Sequence, residues 1–252
     1  MPRFFVRKEQ IEDEIVTVRG DDAHHISRAL RMAAGEHITV CDMQKYEYEC
    51  ELTEFLPDCV RARVLEKRKC ETEPPYRAHL YQALPKGDKL DSVIQKAVEC
   101  GVHEITTFES ERCVVRLKRE GEEKKVERRQ RIALEAAKQS GRGCVPTVHP
   151  GLSFAETIAE AAKADIALFC YEGDGTESLA EVLKAKKAVA GSEAPTVSIV
   201  IGSEGGFSLA EAEAAKSAGL IPVGLGRRIL RTETAAAFVL ACLVYEMELN
   251  GR

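Results

Sequence analysis

From residue 78 onward the chain alternates short apolar runs with amphipathic segments, and this alternation limits the possible folds more than any other feature. Apolar runs such as 166–171 and 196–201 predict buried strands, and the segments between them have helical periodicity. Strands that alternate with helices form a mostly parallel sheet with helices on both faces, so we expect an α/β fold here. The predicted strands are 78–84, 104–108, 166–171, 196–201 and 221–225, and the predicted helices are 88–100, 122–139, 154–162, 178–183, 208–218 and 232–249.

The chain before residue 70 has a different pattern. Apolar and polar residues partly alternate in several short segments, which is typical of strands with one buried face. Together with one predicted helix at 21–32, closed by Gly35, this pattern predicts a small β-barrel. Pro74 and Pro75 follow a charged stretch and predict a linker, so we expect two domains, at 1–72 and 76–252. The predicted strands of the first domain are 14–18, 37–41, 46–52 and 60–65.

Charge and cysteine content narrow the class of protein. The 36 Lys and Arg against 41 Asp and Glu give a net charge of −5, which argues against nucleic-acid binding unless basic residues cluster locally. Nine scattered cysteines without a CxxC pair favour reduced thiols over a disulfide framework or a zinc site, so no metal is predicted. The N-terminus lacks the apolar region of a secretion signal, and the longest apolar run, 235–245, is shorter than a membrane span. These features predict a cytoplasmic protein without a membrane partner.

A glycine-rich turn follows the predicted strand that ends at Ile201. Glycines at the carboxyl end of a parallel strand allow a ligand to approach the backbone closely, and open α/β sheets bind their ligands at that edge. Ser208 is a good N-cap for the next helix, with Glu211 as its capping-box partner. The turn has neither the GxGxxG pattern nor the Walker pattern of phosphate-binding loops, and Glu204 would repel a phosphate. A purely structural turn remains the alternative.

The second candidate segment, 224–235, passes from a strand through a loop with three arginines into an apolar helix. Thr232 or Thr234 is a candidate cap for that helix. Ile229 and Leu230 lie between arginines, which predicts a loop packed on both sides that holds Arg231 beside the glycine-rich turn. A solvated loop is the alternative. A third segment ends a predicted helix, with Gly141 as its C-cap.

Taken in order along the chain, these motifs resemble the ribosomal RNA small subunit methyltransferase E family. The motifs are HISRALR at 25–31, PKGD at 85–88, QKAVECGV at 95–102, KQSGR at 138–142, IGSEGGFS at 201–208 and LGRRILRTETA at 225–235. The resemblance implies an N-terminal PUA-like β-barrel and a C-terminal SPOUT-class α/β domain with a deep trefoil knot. It further implies a homodimer that uses S-adenosylmethionine to methylate N3 of a uridine in 16S rRNA.

Two positions depart from the family pattern. Ser203 stands where the family usually has a proline, so the turn loses some rigidity, and Lys138 replaces a glutamate. The glycines and Glu204 of the turn are retained. Neither change affects the assignment.

The resemblance also assigns candidate site residues. Cofactor contacts fall on two loops, the first with Ile201, Gly202, Glu204, Gly205 and Gly206, and the second with Leu225, Gly226, Ile229, Leu230 and Thr232. Uridine N3 carries a proton at neutral pH, so the site needs a base or a cation that stabilises the deprotonated ring. Arg231 is the candidate cation, because a guanidinium stays charged and donates two hydrogen bonds. Glu204 and Glu233 are candidate proton acceptors, with structural roles as the alternative for each.

The remaining candidates concern partners. RNA contacts are predicted at Arg3, Arg7, Arg28, Arg31, Lys86 and Arg142, with 16S rRNA or the assembled small subunit as the substrate. The last helix is apolar on more than one face, which predicts that it joins the dimer contact. Two other interpretations remain open: a non-catalytic RNA-binding protein, and a related methyltransferase acting on another RNA nucleotide.

Overall fold

The computed structural model describes residues 1–118, 120–187 and 194–250. The chain forms two compact units. The first contains Met1–Glu73 and Ala137–Val145, and the second contains Pro74–Ala136 and Pro146–Arg252. The chain therefore first passes from one unit to the other between Glu73 and Pro74, beside the predicted linker. A short later stretch, the return segment Ala137–Val145, belongs to the first unit again.

The first unit is built on a six-stranded sheet in the order β1-β4-β5-β6-β3-β2. Every neighbouring pair is antiparallel except β1 with β4. Alternate residues such as Val16 and Val18 turn inward and are fully buried, as the sequence pattern predicts. The strands are β1 Arg3–Phe5, β2 Ile11–Glu12, β3 Ile15–Arg19, β4 His37–Cys41, β5 Tyr46–Phe55 and β6 Cys59–Lys69.

One helix interrupts these strands. Helix α1 spans Asp21–His24 and continues as a π-helical segment, His25–Ala29, with Ile26 buried in the core. It ends earlier than the predicted boundary at residue 32, because Arg31 adopts a left-handed backbone conformation with φ of 53°.

The second unit contains a seven-stranded sheet in the order β11-β13-β10-β12-β7-β8-β9, and all of its pairs are parallel. The predicted fold class is therefore confirmed. Its strands are β7 Arg77–Ala83, β8 Glu104–Glu109, β9 Thr147–Ser153, β10 Ile166–Cys170, β11 Glu177–Ser178, β12 Thr196–Ile201 and β13 Ile221–Gly224. The helices that follow α1 are α2 Lys89–Glu99, α3 Glu122–Gln139, α4 Phe154–Ala161, α5 Leu179–Lys187, α6 Leu209–Ser217 and α7 Thr232–Leu243, the last of which continues as a π-helical segment, Val244–Leu249.

Strand β12 lies near the middle of this sheet, and its last five residues are all buried. Both of its faces are covered, which explains its continuous apolar sequence. Because all seven strands run in the same direction, the carboxyl ends of β7, β12 and β13 lie at one edge of the sheet. The loops that leave this edge carry the candidate cofactor residues.

No helix in the described ranges combines the length and the apolar character needed to cross a membrane.

Candidate active site

The glycine-rich turn after β12 is anchored by Phe207. This side chain is 5% exposed, and its ring lies 4.3 Å from that of Phe169 and 6.3 Å from that of Phe108, centroid to centroid. Within the turn, the Gly206 N–H donates to the Ser203 carbonyl at 3.0 Å. Gly206 has a φ of 63°, which favours glycine at this position. The aromatic cluster thus holds a tight turn at the carboxyl edge of the sheet.

The turn leads directly into α6. The Ser208 hydroxyl accepts from the Glu211 N–H, and the Glu211 carboxylate accepts from the Ser208 N–H. The predicted capping box is confirmed. Because this cap ends the turn, it fixes the direction in which the chain leaves the site.

Gly205 lies against Arg112. The Arg112 guanidinium donates to the Gly205 carbonyl at 3.1 Å. A Cβ atom at Gly205 would approach the Arg112 Cβ to 2.9 Å and the Arg112 carbonyl oxygen to 3.1 Å. A side chain would therefore displace this backbone. The turn offers backbone groups with almost no side-chain bulk, which suits a ligand recognised through main-chain N–H and C=O groups.

The second loop, 225–231, is more exposed than predicted. The Ile229 side chain is 83% exposed, and Arg231 is also exposed. The prediction of a loop packed on both sides is wrong for Ile229 in this chain, since sequence spacing does not show which apolar side chains find a partner. Arg231 is held in place through its backbone instead. It is the N-cap residue of α7, and its carbonyl accepts hydrogen bonds from the N–H groups of Thr234 and Ala235.

Thr232 joins the two loops. Its hydroxyl donates to the Gly202 carbonyl at 2.6 Å. The predicted capping role for Thr232 or Thr234 is wrong, because Arg231 occupies the N-cap position and its side chain makes no cap hydrogen bond among the described residues. The bond that Thr232 makes instead connects the first residue after β12 to the first residue of α7.

Gln82, near the end of β7, completes this connection and was missed by the sequence analysis. Its side chain is fully buried, and Nε2 donates to the Thr232 hydroxyl at 2.9 Å and to the Ala83 carbonyl at 3.0 Å. Among the described residues, its Oε1 atom has no hydrogen-bond partner. The sequence did hold one sign of this role, which is the single amide side chain within the predicted apolar strand 78–84. A polar side chain buried in such a strand needs hydrogen-bond partners.

Lys89, at the start of α2, brings the two candidate carboxylates together. Its ammonium group lies 2.7 Å from Glu204 Oε1 and 3.9 Å from Glu233 Oε2. Glu204 also accepts from the Lys86 N–H at 3.1 Å. The sequence motifs indicate Lys86 only as an RNA contact, and they do not include Lys89.

The two carboxylates differ in their surroundings. Burial raises the pKa of Glu204, but hydrogen bonds from Lys89 and from backbone N–H groups outweigh it and hold this pKa below its ordinary value. Glu204 is therefore ionised at neutral pH and is a weak base. The Glu233 Oε2 atom is buried without a hydrogen-bond partner among the described residues.

In the first unit, the predicted RNA-binding arginines fall into two groups. Arg7, Arg28 and Arg31 are exposed, and Arg7 lines a groove of about 710 Å³ together with Phe5 and Val18. Arg3 is instead bonded to Glu47 at 2.9 Å.

Arg142 is also engaged. It is only 3% exposed, and its guanidinium donates two hydrogen bonds to Glu73, at 2.9 and 2.7 Å. In this conformation Arg142 stabilises the return segment of the first unit and presents no free cation to RNA. Gly141, which precedes it, has a φ of 73° and ends helix α3, as predicted.

These features match known protein families. The pattern of a family described as RNA methyltransferase domain matches residues 72–244, and that of an RNA methyltransferase PUA domain matches residues 18–54. The fold and the site therefore define an RNA methyltransferase with a PUA domain.

Individual relatives narrow the assignment. Ribosomal RNA small subunit methyltransferase E of Bacillus subtilis is 36% identical over 99% of this chain and 98% of its own length. The crystal structure of ribosomal RNA small subunit methyltransferase E from Neisseria gonorrhoeae, bound to S-adenosyl methionine, superimposes with a TM-score of 0.82 at 29% identity, covering 97% of each chain. A putative methyltransferase from Legionella pneumophila in complex with SAM has a TM-score of 0.81 at 28% identity, covering 96% of each chain. This chain belongs to the ribosomal RNA small subunit methyltransferase E family.

Proposed function

We propose that this protein transfers a methyl group from S-adenosylmethionine to N3 of a uridine in the 16S rRNA of the small ribosomal subunit. The main supporting observation is the hydrogen bond between the Thr232 hydroxyl and the Gly202 carbonyl. This bond joins two glycine-containing loops at the carboxyl edge of a parallel sheet. Relatives named as ribosomal RNA small subunit methyltransferase E, and related structures with bound S-adenosyl methionine, support methyl transfer to ribosomal RNA.

The cofactor fits the backbone that these loops present. Gly206 has a left-handed backbone conformation, and nothing lies within 4 Å of the position that a Cβ atom would take there, so an adenine edge can approach the turn closely at this residue. Leu225 and Leu230, both half-buried, supply apolar surface for its faces. We assign cofactor contacts to Ile201, Gly202, Glu204, Gly205, Gly206, Leu225, Gly226, Ile229, Leu230 and Thr232.

Charged residues beside these loops supply the remaining chemistry. When bound, S-adenosylmethionine provides the electrophilic methyl group of a sulfonium. The exposed Arg231 guanidinium donates hydrogen bonds to the uridine oxygens and stabilises the negative charge that develops when N3 loses its proton. Glu233 accepts that proton, because its buried Oε2 atom has no hydrogen-bond partner within the described part of the chain, whereas Lys89 and the Lys86 N–H already donate hydrogen bonds to Glu204. Glu204 holds the turn in place.

Replacing Arg231 by Ala separates cofactor binding from methyl transfer. We expect Arg231→Ala to bind S-adenosylmethionine with one site per chain and near-normal affinity in calorimetry, and to lose at least about a hundredfold in methylation rate at saturating RNA. Arg227→Ala, which removes an exposed guanidinium from the same loop, is the control and retains its rate. An unchanged rate in Arg231→Ala would refute the role of Arg231. Absence of cofactor binding to the wild type would indicate an RNA-binding protein without this activity.

We further propose that residues 1–72 form the RNA-binding domain and residues 76–252 the methyltransferase domain, in line with the two family matches. Arg7, Arg28 and Arg31 in the first and Lys86 in the second are exposed cations suited to phosphates. Arg3 and Arg142 would bind RNA only after leaving Glu47 and Glu73.

Neutralising Arg7 and Arg31 together should reduce the salt dependence of RNA binding by about two phosphate contacts. An undiminished salt slope would count against these contacts.

The last helix supports a homodimer. Leu240 and Leu243 are fully buried, whereas Phe238, Tyr245 and Leu249 are 37%, 62% and 58% exposed and recur at helical spacing on one face. An exposed apolar stripe of this kind suits a self-complementary contact. Sedimentation of a monomer at working concentration would contradict this part of the proposal. A cytoplasmic location follows from the proposed ribosomal substrate.

A further inference from the structure

Three neighbouring strands of the second unit bring two histidines and a glutamate together. His79 lies on β7, Glu104 on β8 and His149 on β9. In the strand register His79 pairs with Glu104, and His149 pairs with Thr106, two residues further along β8, so all of these side chains leave the same face of the sheet. One ligand atom from each of the three residues lies within 4.8 Å of the others.

The distances are close to those of a metal site. His149 Nε2 lies 2.5 Å from Glu104 Oε2, and His79 Nδ1 lies 4.0 Å from the same oxygen. A tetrahedral zinc ion with ligands at about 2.0–2.1 Å places its ligand atoms about 3.3 Å apart, between these two values. Small side-chain rotations therefore convert the cluster into a coordination site.

The neighbouring groups orient the ligands. The other ring nitrogen of His79, Nε2, lies 2.7 Å from the Thr106 hydroxyl, which leaves Nδ1 directed at Glu104. A metal-bound histidine commonly has its second nitrogen fixed by such a hydrogen bond. The His79 ring also stacks on Tyr81, with centroids 4.0 Å apart and planes at 20°. The imidazole is thus held before any ion arrives.

The cluster is open enough to admit an ion. The side chains of His79, Glu104 and His149 are 25%, 38% and 38% exposed. A hydrated cation can therefore reach the three ligands and retain water in its remaining positions.

We propose that His79, Glu104 and His149 bind one divalent transition-metal ion, with Zn²⁺ as the preferred ion. Two imidazoles and a carboxylate suit zinc and exclude a hard-cation site for Mg²⁺ or Ca²⁺, which take oxygen ligands. Along β7, His79 precedes Gln82 by three residues, or roughly 10 Å. The ion therefore connects β7, β8 and β9 at a distance from the methyl-transfer loops. Its role is to stabilise the sheet. Cysteine spacing, on which the prediction of no metal rested, carries no information about this cluster.

The test uses the full-length, tag-free protein after chelator treatment and dialysis. Calorimetry with ZnCl₂ should show one saturable site per chain, and Zn²⁺ should raise the melting temperature because the three ligands are brought together only in the folded chain. Glu104→Gln and His149→Ala should each weaken this binding at least about tenfold. His37→Ala is the matched control, because His37 and Glu49 form a cross-strand His–Glu pair at 3.0 Å that is not part of the three-ligand cluster, and it should leave Zn²⁺ binding unchanged.

Co²⁺ provides a second readout that does not depend on variants. Cobalt bound by imidazole and carboxylate lacks the intense near-ultraviolet band that thiolate ligands produce, which separates this site from the nine cysteines. Circular dichroism of each metal-free variant verifies its fold. The proposal is overturned if the wild type binds no Zn²⁺ saturably, if both ligand variants bind as the wild type does, or if the Co²⁺ spectrum is that of a thiolate site.

Discussion

At the scale of single residues, Gln82 supports the site although it lies outside the sequence motifs. Its amide donates to Thr232, whose hydroxyl in turn donates to Gly202, so one buried side chain supports the contact between the two cofactor loops. Within the described ranges, the hydrogen bonds of the Gln82 side chain go to Ala83, Gly202 and Thr232 rather than to Glu233 or Arg231. It is therefore a positioning residue, and its effect should appear in cofactor affinity.

Replacing Gln82 by Leu tests this role. We expect a loss of about 1–3 kcal/mol in the free energy of unfolding, because the hydrogen bonds of a buried amide are removed, measured by urea denaturation. We also expect S-adenosylmethionine affinity to fall at least about tenfold in calorimetry, or about 1.4 kcal/mol.

Gln130→Leu is the matched control for Gln82→Leu. The Gln130 side chain also makes two backbone hydrogen bonds in the second unit, to the Pro146 carbonyl and from the Val148 N–H, each at 2.9 Å. Because these bonds hold the start of β9, Gln130→Leu should cost similar stability and leave cofactor affinity unchanged. Equal loss of affinity in both variants would show that Gln82 acts only through general stability.

Single residues also show where sequence reasoning ends. The Ser208 cap was predictable because its partner Glu211 lies three residues away, within the reach of a local rule. The bond between Thr232 and Gly202 joins residues 30 positions apart, and the same hydroxyl had an equally reasonable local role as a cap. Long-range partners decide between such roles, and local sequence does not contain them.

At the scale of elements, the cap of α6 links helix stability to the cofactor turn. Ser208→Ala should cost about 1 kcal/mol of stability, as loss of an N-cap usually does. Because Ser208 also ends the turn that begins at Gly202, we expect measurably weaker S-adenosylmethionine binding as well.

Ser153→Ala provides the comparison for Ser208→Ala. Ser153 and Glu156 form the same capping box at the start of α4, which follows β9. Thermal unfolding should report similar losses for both variants, whereas calorimetry should report weaker cofactor binding for Ser208→Ala alone. Unchanged S-adenosylmethionine binding in Ser208→Ala would show that the helix cap does not contribute to the cofactor site.

The elements that sequence periodicity revealed are those with uninterrupted apolar patterns. Strand β12 is buried on both faces, so its continuous apolar run identifies it. Strand β9, Thr147–Ser153, was missed because Pro150 and Gly151 interrupt the alternation, and its register with β8 is also irregular. The short strands β1, β2 and β11 contain too few residues for periodicity to be recognised.

At the scale of the whole molecule, the fold class followed from the alternation of strands and helices, but the return of Ala137–Val145 to the first unit did not. Within that segment Arg142 pairs with Glu73, 69 positions away, and local sequence does not contain such a long-range partner. Net charge also says little about the partner, since the acidic total includes carboxylates paired with arginines inside the first unit. The trefoil knot, which the family resemblance implies, stays a prediction.

Methyl transfer by the whole protein to its RNA tests the proposed function most directly. Small ribosomal subunits from a strain that lacks this gene should be incubated with the protein and isotopically labelled S-adenosylmethionine, and the 16S rRNA should then be digested and mapped by mass spectrometry. We expect one labelled methyl group per subunit, on N3 of a single uridine, and transfer by Arg231→Ala that is at least about a hundredfold slower. A methyl group on another nucleotide, or no transfer by the wild-type protein, would contradict the proposed function.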